Sequence, residues 1–137
     1  MNPITILLAE DNPVNQKVAE LMFRRLGYSI DVVSDGQQAV DAVRDRGYDI
    51  VLMDAQMPVM DGVSAARWIR ENLPENRQPM IFVMSASILS DSRHAWREVR
   101  VDGFIEKPVR VDFLRSEMER AVAEVRRVRV AQAEAVD

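Results

Sequence analysis

The chain has 137 residues, 47% of them apolar and 29% charged, which bounds it to an ordinary soluble domain large enough to bury a core without cross-links. It has no cysteine and a single histidine, His94, which excludes disulfides, thiolate metal sites and a histidine cage and leans towards a reducing, cytoplasmic setting. A formal charge of −4 with no block of Lys and Arg outside the tail gives no basis for a nucleic-acid surface, and no apolar stretch is long enough for a membrane span.

Ile4-Thr5-Ile6-Leu7-Leu8-Ala9 predicts a buried strand that ends in acid, Glu10-Asp11. Pro13 suits a first helical turn, Val14, Val18, Leu21, Met22 and Leu26 recur at helical spacing as its inward face, and Gly27 closes that helix. Ile30, Val32 and Val33 read as a shorter edge strand. Asp35-Gly36 opens a second helix to about Arg46, with Ala39, Val40 and Val43 inward.

Ile50-Val51-Leu52-Met53-Asp54 is an unbroken apolar run that terminates in a carboxylate, the pattern of a central strand buried on both faces. A loop, Met57 to Gly62, leads to a helix carrying Val63, Ala66 and Ile69, which Leu73-Pro74 stops. Met80 to Met84 is a fourth strand ending at Ser85. Ser90-Asp91-Ser92 offers caps for a helix with Ala95, Trp96 and Val99. Gly103 to Glu106 is a short fifth strand, followed by Lys107-Pro108 and a last helix from about Val111.

Five strands alternating with five helices imply right-handed crossovers and a doubly wound, flavodoxin-like parallel sheet. In the strand order 2-1-3-4-5, the first and third strands flank the switch point, so Glu10, Asp11 and Asp54 converge in one crevice with Ser85 and Lys107 nearby. Three carboxylates in one crevice call for a cation, and an oxygen-only set suits Mg²⁺. A cation site, a lysine, a hydroxyl and an acceptor carboxylate together describe phosphoryl transfer, with Asp54 as nucleophile. Taken singly, each group has a plainer explanation: Glu10-Asp11 as helix capping, Ser85 as a strand-end hydroxyl, Lys107 as a surface charge. Asp61 keeps the plainer one, because Asp before Gly at a helix start is ordinary capping.

The set Glu10-Asp11, Asp54, Met57-Pro58-x-Met60-Asp61-Gly62, Ser85-Ala86 and Lys107-Pro108 resembles the receiver domain of two-component response regulators over about residues 4 to 125. Glu10-Asp11-Asn12-Pro13-Val14-Asn15-Gln16 is most similar to receivers of hybrid kinases and phosphorelays. The resemblance implies that Asp54 takes a phosphoryl group from a partner phosphohistidine, on a sensor histidine kinase or a histidine phosphotransfer protein. It also implies that Glu10, Asp11, Asp54 and the backbone carbonyl of Gln56 hold Mg²⁺, that Ser85 and Lys107 grip the phosphoryl oxygens, and that the bond before Pro108 is cis. Phe104 stands where the family often has Tyr, which leaves ring packing but no hydroxyl for a switch.

With no output domain recognisable after residue 125, the expectation is a stand-alone receiver spanning 1–125. It would switch a surface on the fourth helix, fifth strand and fifth helix towards an unidentified downstream protein, or relay its phosphate onward. Residues 126–137 read as a helix extension or a frayed tail. Leu114, Met118, Ala121, Val125, Val128, Gln132 and Ala135 form a weak heptad-like seam, the one basis for a homodimer. A Mg²⁺-dependent phosphohydrolase of the haloacid-dehalogenase type also uses an aspartyl nucleophile, but resembles this chain less, because its second Asp, two residues on, is here Gln56. A dimerisation module with a degenerate site is the third alternative; the complete acid, hydroxyl and lysine set argues against it.

Overall fold

The computed structural model describes residues 3–86 and 96–135. In chain order it contains β1 (Ile6–Ala9), α1 (Pro13–Arg25), β2 (Asp31–Val33), α2 (Gly36–Arg46), β3 (Ile50–Asp54), α3 (Gly62–Asn72), a 3₁₀ turn (Glu75–Arg77), β4 (Met80–Ser85), β5 (Gly103–Glu106) and α4 (Val111–Ala135). The strands form one parallel sheet in the order β2-β1-β3-β4-β5, as the doubly wound topology requires. The helix expected from Ser90 falls mainly on residues outside those described, while Trp96 and Val99, from its end, are buried as expected.

Successive side chains of a strand point to opposite faces, and here the alternation sorts the core into two layers. Leu7, Ala9, Val51, Met53, Ile81 and Val83 face α2 and α3, where Ala39, Val40, Val43, Ala65, Ala66 and Ile69 meet them. Ile6, Leu8, Ile50, Leu52, Phe82 and Met84 face α1 and α4, and pack on Phe23, Leu114, Met118, Ala121, Val122 and Val125.

Two expectations about helix faces change. Val14, Val18 and Leu21 do not point at the sheet; they are 69%, 45% and 50% exposed, and the residue α1 buries is Phe23. Their spacing is helical, but α1 meets the sheet along the stripe through Ala19, Met22, Phe23 and Leu26. The seam on α4 divides as well. Leu114, Met118, Ala121 and Val125 are spent on this domain's own core, so that half is closed to a dimer partner, while Gln132 and Ala135 are exposed.

Helix α4 continues unbroken to Ala135. Its extension is tied to the sheet: Arg129 donates to Asp49 Oδ2 at 2.8 Å, and the same oxygen accepts from the backbone N–H and the hydroxyl of Thr5 at 2.9 and 3.0 Å. Among the described residues no helix is long and apolar enough to cross a membrane.

Candidate functional site

The strand ends place the acids. Glu10 still belongs to the sheet, donating its N–H to Val33 O at 3.0 Å, so its side chain is buried at the end of β1. Asp54 is the last residue of β3 and is 7% exposed; Ala55 N–H then donates to Met84 O at 3.0 Å, holding the chain against β4. Asp11, at the start of the turn into α1, is exposed. Carboxylate oxygens of Glu10, Asp11 and Asp54 lie within 4.8 Å of one another.

Lys107 enters from the end of β5, where its N–H donates to Ser85 O at 2.9 Å and the bond to Pro108 is cis. Its Nζ donates to Glu10 Oε1 at 2.7 Å and to Asp54 Oδ2 at 2.9 Å. Burial works against the charge on Lys107, but the hydrogen bonds and negative charges of Glu10 and Asp54 outweigh it and hold its pKa above the ordinary lysine value. The other Asp54 oxygen, Oδ1, accepts from Gln56 N–H at 3.2 Å.

These groups line one open cleft of about 750 Å³, with Glu10, Asp11, Asp54, Gln56, Ser85 and Lys107 all on its wall. Phe104 is not in that wall. It is half-buried against the α2 and α3 side of the core, and it borders a second depression of about 770 Å³ with Pro108 and the exposed Phe113. Asp61 is occupied elsewhere: its Oδ1 accepts from Ser64 N–H at 2.8 Å as the cap of α3.

Gln16, the last residue of the stretch from Glu10, is a contributor for which the sequence suggested no role. Its Nε2 donates to Glu10 O at 2.6 Å and to Ser34 Oγ at 3.2 Å, bracing the end of β1 against the end of β2. Its position about one turn beyond Asn12, the cap of α1, was the available signal. Gly62 is a second: its N–H donates to Ala55 O at 3.1 Å, and a Cβ there would collide with the Asp54 carbonyl, so α3 starts directly against Asp54.

The donor set is oxygen only, three carboxylates against one ammonium, which suits a hard divalent cation that keeps some of its waters. With such an ion the net charge approaches balance, and Asp54 remains reachable through the open mouth of the cleft.

Comparison with known proteins agrees with this geometry. The chain is 37% identical over 136 residues to Histidine kinase 5 of Arabidopsis thaliana, covering 80% of this chain and 15% of that protein. It is 31% identical over 116 residues to the autoinducer 2 sensor kinase/phosphatase LuxQ of Vibrio cholerae, covering 85% of this chain and 13% of that one. The chain thus spans 15% or less of the length of these relatives. Among solved structures, the receiver domain of a sensor histidine kinase from Pseudomonas aeruginosa superposes with a TM-score of 0.81 at 38% identity, over 89% of this chain and 99% of that domain, and holds a magnesium ion in its active-site cleft. The model of the response regulator receiver domain matches residues 6–119, and the chain belongs to that family.

Proposed function

We propose that Asp54 accepts a phosphoryl group from a phosphohistidine on a sensor histidine kinase or histidine phosphotransfer protein. Mg²⁺ would be held by Glu10, Asp11, Asp54 and the backbone carbonyl of Gln56. The observation that carries this reading is the buried Asp54 carboxylate within 2.9 Å of Lys107 in an oxygen-only acid cluster. When bound, the ion neutralises the carboxylates and the charge of the incoming phosphoryl oxygens. An Asp54 oxygen forms the new bond to phosphorus as the bond from phosphorus to the imidazole nitrogen breaks, and the histidine keeps that electron pair. Lys107, held protonated, passes a hydrogen bond from Asp54 to a phosphoryl oxygen. The Ser85 hydroxyl donates to another.

A protein donor is favoured by the exposed stripe Val14, Val18 and Leu21. Val18 also borders an apolar groove of about 280 Å³ that reaches Glu10, Lys107 and Pro108, beside the acceptor cleft. Movement of Ser85 and Lys107 towards the phosphate would be passed to Phe104 and to the depression at Phe113, where a downstream protein binds. The domain acts as an acceptor rather than a turnover enzyme, because position 56 supplies an amide, not a second acid. The reading holds whether the domain works alone or within a longer chain.

Asp54→Asn is expected to abolish labelling by acetyl phosphate and Mg²⁺, whereas Asp61→Asn retains it, the amide oxygen still capping α3. Labelling that survives the first change and disappears with the second would overturn the assignment.

A further inference from the structure

Glycine is required either where φ is positive or where another group passes too close for a Cβ. Gly27 and Gly47 are of the first kind, with φ of 91° and 77° and open space where a Cβ would stand. Gly36 is of the second. It starts α2 without a positive φ, yet a Cβ there would collide with the carbonyl oxygen of Met60.

The close approach serves a bond. As the first residue of α2, Gly36 has an N–H without a partner in its own helix, and it donates to Met60 O at 3.0 Å. Met60 N–H in turn donates to Pro58 O at 2.7 Å across Val59, which sits at a φ of 67°. Gln56, Met57 and Pro58 then form one wall of the cleft, and Gln56 N–H orients Asp54.

We propose that Gly36, which does not touch the cleft, is a positioning residue for the acceptor loop. By admitting the Met60 carbonyl against the start of α2, it sets the height of the Gln56 to Pro58 wall, and with it the aim of the Gln56 carbonyl and of Asp54. A methyl group at position 36 must push Met60 outward, and the displacement passes along the tight turn at Val59 into that wall. The inference rests on the Mg²⁺-dependent reading of Asp54.

The test compares the two ends of one helix. Gly36→Ala crowds the loop, whereas Gly47→Ala strains φ at the far end of α2 without touching it. Both are studied at matched folded fraction, with Mg²⁺ binding followed by calorimetry and acceptance by acetyl phosphate labelling. Gly36→Ala is expected to raise the Mg²⁺ dissociation constant, and the Mg²⁺ concentration for half-maximal labelling, by about tenfold, the scale seen when a residue supporting a metal ligand is lost. Gly47→Ala is expected to leave both unchanged. Wild-type binding by Gly36→Ala, or equal weakening in both variants, would overturn the proposal.

Hydrogen exchange of the wild type decides the matter should Gly36→Ala not fold. If the loop couples the cleft to the start of α2, Mg²⁺ strengthens the Gly36 to Met60 bond and slows exchange of the Gly36 amide more than that of the Gly47 amide at the far end of the helix. Exchange unaffected by Mg²⁺ removes the inference alone. A wild type that binds no Mg²⁺ removes the reading of Asp54, and this inference with it.

Discussion

The two ends of the sheet both bury charge, and they do so in opposite ways. Where β4 and β5 begin, Arg70 spreads its guanidinium over Arg100 O, Pro79 O, Gln78 Oε1 and Asp102 Oδ2 at 2.6 to 3.1 Å. Asp102 Oδ2 also accepts from Ile81 N–H at 2.8 Å, and Gln78 Nε2 donates to Ile69 O and Leu73 O, both at 2.8 Å. One cation meets one anion, and the remaining donors find neutral oxygens. At the carboxyl ends three carboxylates cluster, and the single ammonium of Lys107 pairs with two of them, Glu10 and Asp54. Among the described residues no buried side-chain nitrogen or oxygen lacks a hydrogen-bond partner, so the ends differ in net charge rather than in satisfaction. The balanced end fastens the fold; the unbalanced end keeps electrostatic repulsion that only an incoming cation relieves.

Breaking the balanced end should produce the largest loss of stability. Arg70→Ala leaves the Asp102 carboxylate, the Gln78 amide and two backbone carbonyls without their cation, and is expected to cost about 3 kcal/mol in urea denaturation. The protein that remains folded should bind Mg²⁺ with unchanged affinity. A weakened affinity would show that the two ends are not independent.

The unbalanced end should respond in the other direction. Asp54→Asn keeps the shape of the side chain but removes one of three like charges, so the variant is expected to be more stable than wild type without Mg²⁺, by about 1 kcal/mol. Adding Mg²⁺ at about a hundred times its dissociation constant stabilises the wild type by about 2.7 kcal/mol. The variant should gain much less. Thermal melts with and without Mg²⁺ check both halves, and a variant less stable than wild type in the absence of the ion would refute the repulsion argument.

The contrast also explains what the sequence made legible. A strand buried on both faces is a run of apolar residues, so β3 could be read as Ile50 to Asp54 with the bounds the structure gives it. A polar residue ending such a run stands out, which is why Glu10, Asp54, Ser85 and Lys107 were visible as a group. Helix faces are less determinate. Val14, Val18 and Leu21 have the period of a buried stripe, but period alone does not say whether the stripe meets the sheet or the solvent. Arg70 escaped notice because an arginine on a helix usually lies outside; its place four residues after the buried Ala66 was the signal, and its partner Asp102 comes from a distant turn. Gly36 was readable as a helix start, whereas the carbonyl it accommodates depends on how α2 and the acceptor loop meet in space.

The smallest expected effect sharpens the comparison by using protons in place of Mg²⁺. Tyr48, just before β3, is buried at the balanced end, and its Oη donates to Asp31 Oδ2 at 2.6 Å. Burial first, and then the hydrogen bond to Asp31, push the phenol above its ordinary pKa. The folded state therefore holds this proton more tightly than the unfolded chain does. The associated stability is fully present below the unfolded value of about 10 and is lost as pH rises through the folded one. Tyr48→Phe removes the hydroxyl and the titration together, leaving the largely exposed Asp31 carboxylate to Arg46 and water. At neutral pH the variant is expected to be less stable by about 0.5 to 1 kcal/mol. As pH rises past about 10 and through the folded value the gap should narrow, because only the wild type loses stability by giving up this proton. Since the bond belongs to the end that no cation enters, the gap should be the same with and without Mg²⁺. A gap that stays constant with pH would show that the fold does not hold the Tyr48 proton, and a gap that moves with Mg²⁺ would show that charge balance at one end of the sheet is felt at the other.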